Sequence, residues 1–361
     1  MRATFAMTRG WGMKHLTSKL LLGSAIALMA STTAVAHGTD MSERLATIKS
    51  MFDADSVVAG PEVVDCTLSG GTETQCFSIT LKNSLAADEM GPWCPGNISD
   101  TADEGGIWVR DGTQYDVDGA FIENLATFYD DPEWQLFDED TGKVHVTDTR
   151  TACDQAARPD VAEEYNNYCV ECRTEYMDEV VETTYVLPLV PVARQGEAAG
   201  RTPGPRGIAF NGVRFDAAAP QDAILAAHTL APFDDCGGHV NLHVGYHYHG
   251  ANGCSPKQEE AEAEADAPMI GFAMDGYPIL AKLTGDDAEK AELDACSGHV
   301  AAGIGYHYHG NSAEKNEILG CFKGEIGCAL DSPDAVCKAD ERPAGGPPEG
   351  GPEGQKPHDE A

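Results

Sequence analysis

The strongest constraint on this chain is a block that it contains twice. Cys236-Gly-Gly-His239-Val-Asn-Leu-His243-Val-Gly-Tyr246-His247-Tyr248-His249-Gly250 returns sixty residues later as Cys296-Ser-Gly-His299-Val-Ala-Ala-Gly-Ile-Gly-Tyr306-His307-Tyr308-His309-Gly310. Upstream of each copy, Gly207-Ile-Ala-Phe-Asn211-Gly212-Val-Arg-Phe215 matches Gly271-Phe-Ala-Met-Asp275-Gly276-Tyr-Pro-Ile279, and downstream a second cysteine follows, Cys254 or Cys321. A whole supersecondary unit is therefore repeated, opening on an Asn-Gly or Asp-Gly pair of the kind that favours tight hairpin turns. Each half, at about fifty residues, buries little surface alone, so the two copies are expected to share one core.

These residues resemble the bacterial YHYH-domain family, named after the tetrapeptide found twice here. The second copy, with Asp275-Gly276-Tyr277-Pro278-Ile279 and Gly320-Cys321-Phe322-Lys323-Gly324, is similar to the family pattern, and the resemblance runs from about residue 76 to residue 324. It implies almost no chemistry, which has to come from the residues.

Gly-Tyr-His-Tyr-His-Gly has strand period. His247 and His249 are expected on one face with Tyr246 and Tyr248 on the other, and His307 and His309 likewise against Tyr306 and Tyr308. Two imidazoles two apart on a strand converge, and His239 or His299 can join them if the preceding segment folds back. Three neutral imidazoles with an open fourth position suit zinc or copper. A lone His-x-His pair is more often a hydrogen-bonding or surface feature than a ligand site; its repetition with cysteines at matching offsets favours a shared cation. His243 is a further candidate, although its counterpart is Gly303. His145 and His228 have no counterparts and read as ordinary histidines. Adjacent motif strands make one shared two-metal centre the favoured arrangement. Asp275 is a weak candidate for a catalytic base or for orienting a histidine, since its counterpart Asn211 cannot take a proton, and Asp234 and Asp235 are further orienting candidates. The plain alternative for Asp275 and Asn211 is that they build their turns.

The first nineteen residues carry Arg2, Arg9, Lys14 and Lys19 without an acid, and a small or apolar run ends at Ala34-Val35-Ala36. Residues 1–36 read as a secretory signal. No other apolar run approaches the ~20 residues that span a bilayer, so no stable membrane insertion is expected after its removal. Cleavage there makes His37 terminal, a weak candidate for copper chelation. All twelve cysteines lie beyond residue 36, an even number in an exported chain, which favours a disulfide framework. Near pairs are Cys66 with Cys76, Cys236 with Cys254, Cys296 with Cys321, and Cys328 with Cys337. Cys169-Val-Glu-Cys172 has redox spacing without the surrounding pattern of a redox domain. Losing the signal's four positive charges takes the formal charge from −35 to −39, which excludes nucleic acid as a partner. The acid-rich stretches 111–118 and 138–142 raise calcium as an alternative, without EF-hand spacing.

Along the chain, residues 37–52 have the pattern of an amphipathic helix. Two strands flank Ser69-Gly70-Gly71, short strands occupy 91–148, residues 153–182 are the best helical candidate, and 180–192 is a strand interrupted by Pro188 and Pro191. Residues 194–206 read as a linker, and the acidic insert Gln258 to Asp266 is expected on the surface. The domains expected are 1–36 (signal), 37–200 (β-rich, six cysteines), 201–338 (duplicated) and 339–361, a Pro/Gly/Glu tail expected to be disordered.

The fold expected is thus mainly β with a short helical segment, disulfide-stapled, with an internally duplicated C-terminal half. The function expected is transition-metal binding, copper or zinc, through His239, His247, His249, His299, His307 and His309. A metal-dependent hydrolase or oxidoreductase, and an extracellular structural or interaction module without metal, are the alternatives. No Gly-x-Ser-x-Gly, His-Glu-x-x-His or phosphate-binding glycine loop is present. Beyond the metal ion, the sequence names no partner.

Overall fold

The paired glycines at Gly70 and Gly71 end one strand and start the next. In the computed structural model, β1 (Val57–Thr67) and β2 (Glu73–Lys82) pair antiparallel around that turn, where Gly71 takes φ +84°. The structure describes residues 33–157, 160–196, 204–254, 258–264, 267–284 and 292–341, with the backbone alone at 33–40 and 258–264. Most of the signal region, part of the 194–206 linker and nearly all of the tail lie outside these residues. The chain divides into two units, Met1–Glu43 and Arg44–Ala361. The first contains the start of α1 (Thr33–Met51), and the strands and histidine groups belong to the second. Helix α1 matches the expected amphipathic segment: Ile48 is buried, and just past its end Phe52 packs edge-on against Phe210, ring centres 5.4 Å apart.

The Asp111-Gly112 pair, both at positive φ, makes the tight turn between β3 (Ile107–Arg110) and β4 (Thr113–Asp116). Short helices follow: α2 (Gly119–Glu123), α3 (Leu125–Phe128) and α4 (Arg150–Ala156). The acids raised as calcium ligands serve local structure here. Asp118 caps α2 by accepting from Phe121 N at 2.7 Å, and Asp138 Oδ1 accepts from both the N–H and the hydroxyl of Thr141 at 2.8 Å.

The helix expected over 153–182 is corrected. Helix α4 stops at Ala156, and beyond it the described chain is irregular apart from 3₁₀ turns at Glu163–Tyr165 and Thr174–Tyr176. The reason is covalent. Cys153 pairs with Cys172 at a Cα separation of 5.4 Å, whereas nineteen helical residues span about 28 Å. Cys169 is bonded to Cys94, so Cys169 and Cys172 are not a redox couple with each other. The backbone of Cys169 and Val170 is also used elsewhere, donating to the carbonyls of His145 and Leu230. Strand β5 (Glu182–Pro188) then crosses beside β2.

The repeated part begins with β6 (Gly207–Ala209) and β7 (Arg214–Phe215), continues through α5 (Gln221–Leu225), and reaches β8 (Gly238–Asn241) and β9 (Gly245–Tyr248). Next come β10 (Gln258–Glu264), β11 (Ala267–Ala273) and β12 (Pro278–Leu280), then β13 (Gly298–Ala301), β14 (Gly305–His309) and β15 (Cys328–Leu330). The acidic insert thus contains a strand, β10, paired with β11. One sheet has four strands in the order β1-β2-β5-β15. The larger has nine, in the order β13-β14-β12-β11-β6-β7-β9-β8 with β10 beside β11.

That second order reads the same from both ends once the copies are exchanged. At its middle, Ile208 pairs with Phe272, flanked by Gly207–Ala273 and Ala209–Gly271, a register consistent with an approximate twofold through the central pair. The equivalent glycines Gly207 and Gly271 permit this close pairing. A Cβ on either would lie 2.3 Å from Phe272 O or 2.1 Å from Ile208 O. Outward from the middle, β7 pairs parallel with β9 and β12 parallel with β14, in matching register. The motif ends also meet, with Ala251 N donating to Asn311 O at 2.8 Å. All twelve cysteines are paired: the four near pairs named above, plus Cys94–Cys169 and Cys153–Cys172.

Candidate metal centres

Each three-histidine group hangs on one antiparallel strand pair. In β8–β9 His239 lies opposite His247, and in β13–β14 His299 lies opposite His307. The remaining members, His249 and His309, follow two residues later on the same face, as strand alternation requires. His247, His249, His307 and His309 are buried, and His239 and His299 are half-buried.

Backbone carbonyls fix the rings. His247 Nδ1 lies 3.0 Å from Gly245 O and His249 Nδ1 2.6 Å from Ala217 O; in the second copy His307 Nδ1 lies 3.1 Å from Gly305 O and His309 Nδ1 2.9 Å from Ala281 O. A carbonyl only accepts, so each of these Nδ1 atoms carries the proton and each Nε2 presents a lone pair. His307 and His309 turn these Nε2 atoms on one another at 3.2 Å, and the third ring of each group comes as near, His239 Nε2 to His249 Nε2 at 3.2 Å and His299 Nε2 to His309 Nε2 at 3.3 Å. Two acceptors as close as the Nε2 atoms of His307 and His309 repel unless a cation stands between them. Nitrogens bound at 2.0–2.1 Å to a tetrahedral ion are about 3.3–3.4 Å apart, which is the spacing found.

The ligating atoms of each triplet lie within 4.8 Å of one another, and the two triplets form separate groups. The shared two-metal centre expected from the sequence is replaced by two foci. The copies place their motif hairpins at the two ends of the sheet order, and each hairpin gathers its own third histidine.

In the first group burial, the largest effect, holds His239 and His249 well below the usual histidine range, with nearby imidazoles adding to it, and burial also lowers His247. Neutral rings are the form that ligates. Phe233 packs on His239 and His249 with ring centres 5.2 and 5.1 Å away. The three histidines border a cavity of about 260 Å³.

The tyrosines occupy the other face with their hydroxyls bonded. Tyr246 donates to Asp234 at 2.7 Å and Tyr306 to Asp294 at 3.0 Å; Asn211 Nδ2 donates to Tyr248 at 3.1 Å, and Tyr308 donates to Asp275 at 2.5 Å. Asp275 also accepts from Gly324 N at 2.9 Å. It therefore sits behind the strand, away from the imidazoles, and its candidacy as catalytic base or histidine orienter is corrected to support of Tyr308. Asp234 belongs to the same layer, accepting also from Cys236 N and Gly238 N, while Asp235 is exposed. His243 is exposed in the β8–β9 turn, outside the triplet. His228 bonds Asp131 at 2.9 Å, and with Glu133 these form a third, more exposed cluster. The sequence reading passed over Asp294, although its Asp-x-Cys-x-Gly-His context repeats that of Asp234 and was there to be read.

Residues 184–292 match the family described as YHYH protein. That match supports the resemblance carried by the repeated motif. The matched stretch takes in the first YHYH triplet and ends before the second, so it is narrower than the 76–324 expected. No curated protein and no solved structure matches the chain.

Proposed function

We propose that this protein binds two transition-metal ions, zinc or copper, one on each histidine triplet of its YHYH region, and that it works outside the cytoplasm. The observation that carries the reading is the convergence of three imidazoles in each group, with Nε2 atoms meeting at 3.2–3.3 Å and the Nδ1 atoms of both histidines of each YHYH tetrapeptide held by backbone carbonyls. A packing role does not call for that arrangement, because acceptor–acceptor pairs in a buried site are costly. Imidazole donors suit zinc and copper alike, and each centre keeps an open position. Six disulfides among the described residues favour an oxidising compartment, and among those residues no helix is long and apolar enough to cross a membrane. The formal charge of −35 raises the local concentration of cations.

X-ray absorption on the metal-loaded full chain tests the ligand set. We expect about three imidazole nitrogens per metal at ~2.0–2.1 Å with one further light atom. A first shell made of carboxylate oxygens alone would show that the ion sits elsewhere.

A further inference from the structure

The two centres differ in what surrounds them. Beside the first triplet the cavity of about 260 Å³ is lined by Trp93, Val170, Ala219, Pro220 and Ile224, and a single carboxylate, Asp216, joins this apolar wall. Asp216 is largely covered, with 15% of its side chain exposed, and its charge acts on both His239 and His247. Its Oδ1 accepts from Arg214 Nη2 at 3.0 Å and from Ala217 N at 2.8 Å, while Oδ2 has no hydrogen bond among the described residues. The positions equivalent to Arg214 and Asp216 in the second copy are Pro278 and Leu280, and Leu280 is buried in register with His309.

We infer that the first centre is a ligand-exchange site for a small uncharged molecule, one that gives a nitrogen or oxygen donor to the metal and an N–H or O–H to Asp216. This rests on the metal-binding reading above. The apolar wall favours a compact neutral body, and the free oxygen of Asp216 selects ligands that donate a hydrogen bond. Asp216 acts as a positioning residue, and the second centre, with Leu280 in its place, lacks that selection.

The test uses the full chain loaded with cobalt(II), whose visible bands report exchange of the fourth ligand, and two probes, imidazole and 1-methylimidazole. Bound cobalt is counted first; a chain that takes up none overturns the metal reading itself. With cobalt bound, imidazole is expected to perturb the spectrum of the wild type and of His309→Ala, and to be preferred over 1-methylimidazole there and not in His249→Ala. It is expected to bind about 10-fold more tightly than 1-methylimidazole, the worth of one net hydrogen bond to a charged group. Asp216→Leu should retain its cobalt and lose that preference, and Asp216→Asn should keep part of it. Where His309→Ala does not fold, His299→Ala serves the same purpose. Bound cobalt with no imidazole response in His309→Ala, an equal preference for imidazole in His249→Ala, or a preference that persists in Asp216→Leu each overturns the proposal and leaves the metal reading standing.

Discussion

Asp275 illustrates how one residue's role changes with its surroundings. Burial, partly offset by hydrogen bonds from Tyr308 and Gly324, raises its carboxyl from 3.8 to about 6. Folding therefore favours the protonated form. Its contribution to stability is complete below the unfolded value of 3.8, falls as pH rises, and is lost above about 6, a swing of about 3 kcal/mol. Asp275→Asn, which installs the residue the first copy has at Asn211, should remove that dependence. Urea unfolding at pH 4 and pH 7.5 checks it: the variant should gain on the wild type by a few kcal/mol between the two, and a constant difference would count against a buried, ionising carboxyl. The sequence showed the Asp-Gly turn and the alternation of histidine with tyrosine. It did not show which face the aspartate serves, because that depends on Tyr308 reaching across to a different hairpin.

At the scale of elements, strands and hairpins were largely legible, since Gly70-Gly71, Asp111-Gly112 and Asn211-Gly212 mark turns by backbone chemistry alone. The segment after α4 was not. Its near-helical spacing is overruled by Cys153–Cys172 and Cys94–Cys169, and long-range pairing is invisible in a single sequence. These bonds lead to a measurable difference. Cys94–Cys169 closes 75 residues and Cys66–Cys76 closes 10, while all four cysteines are buried, so packing losses on removal are similar. In the loop-entropy treatment, replacing the first pair with alanines should cost about 2 kcal/mol more than replacing the second. Equilibrium unfolding of the two double variants measures this, and equal losses would mean that the unfolded chain is already held together between residues 94 and 169.

For the whole molecule, duplication was readable as a repeat, but its geometry was not. The sequence favoured two motif strands side by side; the structure instead joins the copies through β6 and β11, sets the motif hairpins at opposite ends of the strand order, and brings only the motif tails together at Ala251 and Asn311. The close pairing at the centre is permitted by the glycines at 207 and 271, whose significance appears only once their partners are known. Two separate foci make a simple quantitative claim. The most direct test is the metal content of folded, fully oxidised chain purified from an oxidising compartment, for the wild type, His249→Ala, His309→Ala and the double variant. The account predicts two, one, one and no tightly held ions per chain, with near-ultraviolet circular dichroism showing the fold retained in each. A wild-type chain that is folded and disulfide-bonded yet binds no zinc or copper at micromolar concentration would contradict it, as would loss of both ions on changing either histidine alone.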